Sequence, residues 1–171
     1  NISIIDQSGT GNTIGVPVYD NLALTAGVET GVTQTGARND STIIQSGTNN
    51  DTDVVQDGDD NISSVTQEGD SGDVFVDQIG NLNTSTVTQS AGSLANTLDV
   101  NQTGDEGQST ITQAGSDNFI ELNQGGLMNA STITQDGMMN SVTVNQGGTG
   151  DASFVTQAGV NNTVTVSQNF P

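Results

Sequence analysis

Cysteine, histidine, lysine and tryptophan are absent from this 171-residue chain, and proline occurs only twice. Lack of Cys excludes disulfides, thiolate chemistry and Cys-based zinc sites. Lack of His and Lys deprives a nucleophile of its usual base, leaving only carboxylate pairs such as Asp59 and Asp60. Those two lie in a Gly-bounded turn with no visible pocket, so the chain reads as a non-enzyme without cofactor or metal. A single base, Arg38, faces twenty acids for a formal charge of −19, which excludes a nucleic-acid partner because nothing can displace counterions from phosphate. No apolar run nears the roughly twenty residues that span a bilayer, so membrane insertion is not expected. No charged-then-apolar leader precedes Asn1, so if the protein is secreted its signal peptide is expected to have been removed. Hydrophobic residues make up 30% and aromatics 3%, too little for an ordinary three-dimensional core, and a disordered polar tract is the alternative.

What the chain has instead is a beat. Gln recurs at 7, 34, 45, 56, 67, 78, 89, 102, 113, 124, 135, 146, 157 and 168, and eleven of the thirteen intervals are eleven residues. A disordered tract would not keep such a period, which marks a stacked, quasi-one-dimensional architecture. Counting Gln as zero, position −2 is branched or apolar throughout, from Val32 to Val166, and Gly follows at +2 in twelve of fourteen units. Position −6 is mostly Asn, and −3 and −1 are mainly Thr, Asp and Asn. Period-two alternation, β-branched enrichment and Gly/Asn boundaries predict one strand and one turn per unit.

Position −4 alternates between Ser (Ser41, Ser63, Ser85, Ser109, Ser131, Ser153) and a larger residue (Thr52, Val74, Leu98, Ile120, Val142, Val164). The true repeat is therefore twenty-two residues, and the predicted fold is all-β: a two-sheet, cross-β solenoid whose coils each hold two strand-turn units. Small residues on one sheet make room for large ones on the other. Residues 1–33 keep the beat loosely: Val18 stands where Gln belongs, and 17–29, with Pro17 and Tyr19, read as an irregular excursion. Residues 34–171 form the regular solenoid, with one two-residue insertion between Gln89 and Asn96 that a loop can absorb.

Parity places Gln and Asn on the same face as Val and Ile. A buried amide is costly unless bonded, but stacked coils let each one donate to the identical amide above and accept from the one below. The expected inward ladder and self-assembly residues are Gln45, Gln56, Gln67, Gln78, Gln89, Gln102, Gln113, Gln124, Gln135, Gln146, Gln157 and Gln168. With them go Asn39, Asn50, Asn61, Asn83, Asn96, Asn118, Asn129, Asn140 and Asn162. The expected turn glycines are Gly36, Gly47, Gly58, Gly69, Gly80, Gly104, Gly115, Gly126, Gly137, Gly148 and Gly159. Since Ser3 opens on a Ser-type strand and Gln168 closes on a larger-residue strand, a second molecule can continue the alternation head to tail into an open filament.

Other features have competing readings. Acidic turns such as Asp57-Gly-Asp59-Asp60 could hold Ca²⁺ weakly but match no calcium loop, and solvated turn is the better reading. Asn-x-Ser/Thr triplets at Asn39, Asn50, Asn61, Asn83, Asn129 and Asn161 arise mostly from the inward columns rather than as glycosylation sites. Outward Thr86-x-Thr88, Thr110-x-Thr112 and Thr132-x-Thr134 form a flat array like the ice-binding face of antifreeze solenoids, which makes a monomeric ice-binding protein the rival function; exposed strands favour Thr in any case.

The run Ser131-Thr-Ile133-Thr-Gln135-Asp-Gly137-Met-Met-Asn140-Ser-Val142-Thr-Val144-Asn-Gln146 closely resembles the curlin repeat of bacterial curli fibre subunits. The likeness covers residues 39–168 well and 1–16 more loosely. It departs in placing Ser four rather than six residues before Gln, and in lacking Lys, His and most aromatics. The resemblance implies a secreted subunit, exported unfolded, that assembles into extracellular amyloid fibres of the biofilm matrix for adhesion and cell aggregation. Its implied partners are itself, a nucleator subunit, and secretion and chaperone accessory proteins.

Overall fold

The computed structural model describes residues 1–10, 13–14 and 31–169. The strands are β1 (Ile2–Gln7), β2 (Thr13–Ile14), β3 (Val32–Thr35), β4 (Asp40–Gln45), β5 (Asp51–Asp57), β6 (Ile62–Gln67), β7 (Asp73–Ile79) and β8 (Thr84–Gln89). They continue as β9 (Thr97–Gln102), β10 (Gln108–Gln113), β11 (Phe119–Gln124), β12 (Ala130–Gln135), β13 (Ser141–Gln146), β14 (Ala152–Gln157) and β15 (Thr163–Gln168). Apart from β2, each strand ends at or beside a repeat Gln, and a Gly-containing turn follows all of these but the last.

Alternate strands fall into two sheets. The first runs β1-β4-β6-β8-β10-β12-β14, and the second runs β15-β13-β11-β9-β7-β5-β2, with β3 also on β5. Every pairing is parallel and in register, so Gln113 lies between Gln89 and Gln135, and Gln124 between Gln102 and Gln146. The all-β, two-sheet solenoid of twenty-two-residue coils is thus the observed architecture. Inward residues stack in columns, Gln on Gln in both sheets, and Val, Ile and Leu at −2 in both and at −4 in the second fill a narrow core in which Ile43, Val100, Ile120, Leu122 and Ile133 are inaccessible or nearly so. This core needs no aromatic residue because two sheets about 10 Å apart leave room only for side chains of this size.

The two-residue insertion is absorbed in a turn. Ser93 N donates to Ser90 O at 3.1 Å, Leu94 regains the bridges to Asp70 and Ser116, and Gln78 and Gln102 remain partners. At the N-terminal level, Thr13 and Ile14 pair with Asp51 and Thr52, while Val32 and Gln34 pair with Val54 and Gln56. Two separate segments therefore share one lane, and Gln34 holds its Gln position, the place assigned to Val18 from sequence spacing. Val18, Pro17, Tyr19 and the excursion at 17–29 lie outside the described residues, as does Pro171.

Candidate functional site

The two Gln columns are continuous, directional chains of side-chain hydrogen bonds. In the first sheet Gln7 Nε2 donates to Gln45 Oε1 at 2.7 Å, Gln45 to Gln67 at 2.8 Å, Gln67 to Gln89 and Gln89 to Gln113 at 3.1 Å, Gln113 to Gln135 at 3.0 Å and Gln135 to Gln157 at 2.8 Å. In the second, Gln34 donates to Gln56 at 2.7 Å, Gln56 to Gln78 at 2.8 Å, Gln78 to Gln102 at 2.9 Å, Gln102 to Gln124 and Gln124 to Gln146 at 2.8 Å, and Gln146 to Gln168 at 3.0 Å. A second proton on most of these Nε2 atoms goes to a backbone carbonyl sixteen or eighteen residues earlier, as from Gln56 to Asp40 and from Gln168 to Ala152. That carbonyl fixes which way each amide points, since a flipped amide would set oxygen against oxygen. Every level accordingly accepts on its N-terminal side and donates on its C-terminal side.

The Asn residues are as deeply buried but do not form the same ladder. The Nδ2 of Asn39, Asn50, Asn61, Asn83, Asn96, Asn118, Asn129 and Asn140 donates to the carbonyl of Gly58, Gly69, Gly80, Gly104, Gly115, Gly137, Gly148 and Gly159, respectively, at 2.7–3.2 Å. The Oδ1 accepts a backbone N–H of a later level, as Asn118 does from Asn140 at 2.9 Å. Asn162, at the exposed last level, donates to Ala158 O at 2.9 Å. The sequence-based expectation that each Asn amide donates to the next Asn amide is therefore corrected: one methylene shorter than Gln, Asn bonds to backbone groups instead and staples one turn to the next.

The turn glycines supply the carbonyls for these staples and the space for stacking. At Gly115, φ is +87°, and an added Cβ would stand 1.9 Å from Gly137 O. Gly104 shows the same crowding without a positive φ, its added Cβ meeting Gly126 O at 1.8 Å. Gly36, Gly47, Gly58, Gly80, Gly126, Gly137 and Gly159 share the positive φ, whereas Gly69 does not.

One recurrent position escaped sequence reasoning. Eleven non-Gly residues adopt φ between +52° and +60°: ten are the fourth residue after a repeat Gln, among them Leu82, Met128 and Met139, and the eleventh, Ala95, is the sixth after Gln89 because of the insertion. The N–H at this position donates to a carbonyl of the preceding level, as from Leu82 to Asp59 at 3.0 Å and from Met128 to Asp105 at 3.0 Å. Stacking thus holds a conformation that these residue types resist. Only Asn49, Asp60, Asp117 and Asn161 carry a side chain that would have advertised it.

The acidic turns are also occupied. Asp59 Oδ1 accepts Ala37 N at 2.8 Å, Asp70 Oδ1 accepts Thr48 N at 3.0 Å, and Asp60 Oδ1 accepts from Arg38 Nε at 2.6 Å. Among the described residues no cluster of three His, Cys, Asp or Glu could hold a metal ion. Outside the core, the outer face of the second sheet carries Asp51, Asp53, Asp73, Asp77, Asp99 and Glu121 on adjacent levels, all but Asp73 partly buried. Burial, then neighbouring Asp99 and Asp57, raises the Asp77 carboxyl above its ordinary range; burial, then Glu121, raises Asp99. A shallow hollow of about 200 Å³ lies between Phe75 and Phe119 on this face. The first sheet instead presents Thr columns: Thr86, Thr110 and Thr132 in one, Thr88, Thr112 and Thr134 beside it.

Identical amides in register, glycines at the crowded turns and two parallel sheets define a repeat solenoid whose working part is the repeat itself. Residues 29–58, 47–80 and 95–126 match the curlin associated repeat, and the chain belongs to the curlin repeat family. That family is structural and non-enzymatic. No curated protein matches the chain. Among the described residues no helix is long and apolar enough to cross a membrane.

Proposed function

We propose that the chain is a curli-type structural subunit that is secreted and assembles head to tail into extracellular amyloid fibres of a bacterial biofilm matrix, serving adhesion and cell aggregation. The observation that carries this reading is the polarity of the Gln columns. Because each level accepts on one side and donates on the other, a level from a second copy placed N-terminal side to C-terminal side repeats every bond of the interior. Opposed like ends would set donor against donor or acceptor against acceptor. An incoming chain gains backbone and amide hydrogen bonds together against Gln157 and Gln168, and a nucleator subunit would supply the first such template. Membership of the curlin repeat family favours this reading over ice binding.

Seeded elongation tests it. Gln168→Ala is expected to slow fibre growth several-fold, whereas Thr165→Ala, on the outer face of the same strand, leaves it nearly unchanged. Equal rates for the two variants, or a chain that stays monomeric under electron microscopy, would overturn the assignment.

A further inference from the structure

The two outer faces differ in charge far more than in shape. From β6 to β14 the first sheet carries no charged residue at any outward strand position: Thr predominates, with Ile62 49% and Phe154 77% exposed. Acids reappear at its rim, at Glu68 and Asp136, one residue beyond the strands. An uncharged centre within a charged rim is the composition of protein interfaces. The opposite face places acids next to one another on successive levels, where a second copy would bring more of the same sign.

We propose that the outer face of the first sheet is a lateral docking surface for the same face of a second copy, so that fibres pair through their Thr columns with the acidic sheets turned to solvent. The inference rests on the fibre-forming reading above. Because every level is in register, outward side chains align in columns at the strand spacing, one of them Thr at all five levels from Thr66 to Thr156, and two such faces can interdigitate along that column. Five strands spaced about 4.8 Å apart and about 20 Å long offer roughly 500 Å² per copy. Roughly 1,000 Å² for the pair is below what stable complexes bury, so two soluble copies should not hold together. Repetition along a fibre multiplies the contact without new chemistry, so pairing should belong to fibres alone.

The test compares Thr88→Asp/Thr132→Asp, which charges the first sheet, with Thr97→Asp/Thr143→Asp, which adds the same charge to the second. The full chain is incubated, and seeded elongation, fibre width in electron micrographs and sedimentation of the soluble protein are recorded. Parent and second-sheet variant are expected to give paired fibres, whereas the first-sheet variant gives single ones, its paired fraction at least tenfold lower and its elongation within twofold of the parent. Single parent fibres, or a first-sheet variant that pairs like the parent, would overturn the docking surface while leaving head-to-tail growth intact. A soluble parent dimer would overturn the claim that pairing needs repetition. Absence of any parent fibre would remove the functional reading, and the pairing with it.

Discussion

In the first sheet the fourth residue before Gln is serine at all seven levels, from Ser3 to Ser153; in the second, Thr52, Val74, Leu98, Ile120, Val142 and Val164 occupy the same place. The two sheets are alike in register, spacing and amide columns, yet one is thin here and the other thick. Hydrogen bonding does not explain the serines. Ser109 Oγ bonds to Ser85 Oγ at 3.0 Å and Ser153 to Ser131 at 2.8 Å, but Ser41 and Ser63 Oγ have no partner. Size is what all seven share, so the serine column sets how closely the sheets approach and the larger column fills the space that remains.

Exchanging the two characters should show this most strongly. Ile120→Ser opens a cavity at an inaccessible site and leaves a hydroxyl there, and is expected to cost about 4 kcal/mol. Ser109→Leu overpacks the thin column and should cost about 2–3 kcal/mol. Both are read as shifts in the guanidinium midpoint of the folded chain. If Ser109→Leu were neutral, the sheets would not be in close contact at that column.

Breaking an amide column comes next. Gln113→Leu leaves Gln89 Nε2 and Gln135 Oε1 without their column partner in the interior, an expected loss of about 2–3 kcal/mol. The serine column should respond with opposite signs at two levels. Ser63→Ala removes an unpartnered buried hydroxyl and should stabilise by about 1 kcal/mol, whereas Ser109→Ala breaks a bond and should destabilise by about as much. Equal signs would mean that the hydroxyls act alike and that the distinction between the levels is unimportant.

The strands and their lanes were legible because their cause is local: alternation, β-branching and a Gly two residues past Gln act within one unit. The Ser/large alternation exposed the twenty-two-residue coil for the same reason. What Asn118 does was not legible, because its choice of Gly137 O over another amide depends on reach across a turn. The left-handed position was hidden too. Leu82, Met128 and Met139 there contradict local preference, and only a bond from the preceding level makes the conformation tenable. The lane shared by Ile14 and Val32 could not be read from spacing, since a long intervening segment erases the period.

The outer faces offer the last and smallest contrast. The folded-state pKa of Asp77 and Asp99 is raised, chiefly by burial and then by neighbouring carboxylates. A group raised in this way binds a proton in the folded state at pH values where the unfolded chain has already lost it. Stability should therefore fall as pH rises from the ordinary Asp value through the raised one, and recover on acidification through that window. Because both side chains are only partly buried, solvent screens the effect and it should be modest. Asp77→Asn/Asp99→Asn should flatten the dependence, while Thr66→Asn/Thr88→Asn, on the charge-free stretch of the first sheet, should leave it unchanged. Unfolding midpoints measured across the carboxylate range decide the matter: an unaltered slope in the Asp variant would show that the acidic face does not repel itself, and that the two faces differ in composition without differing in energy.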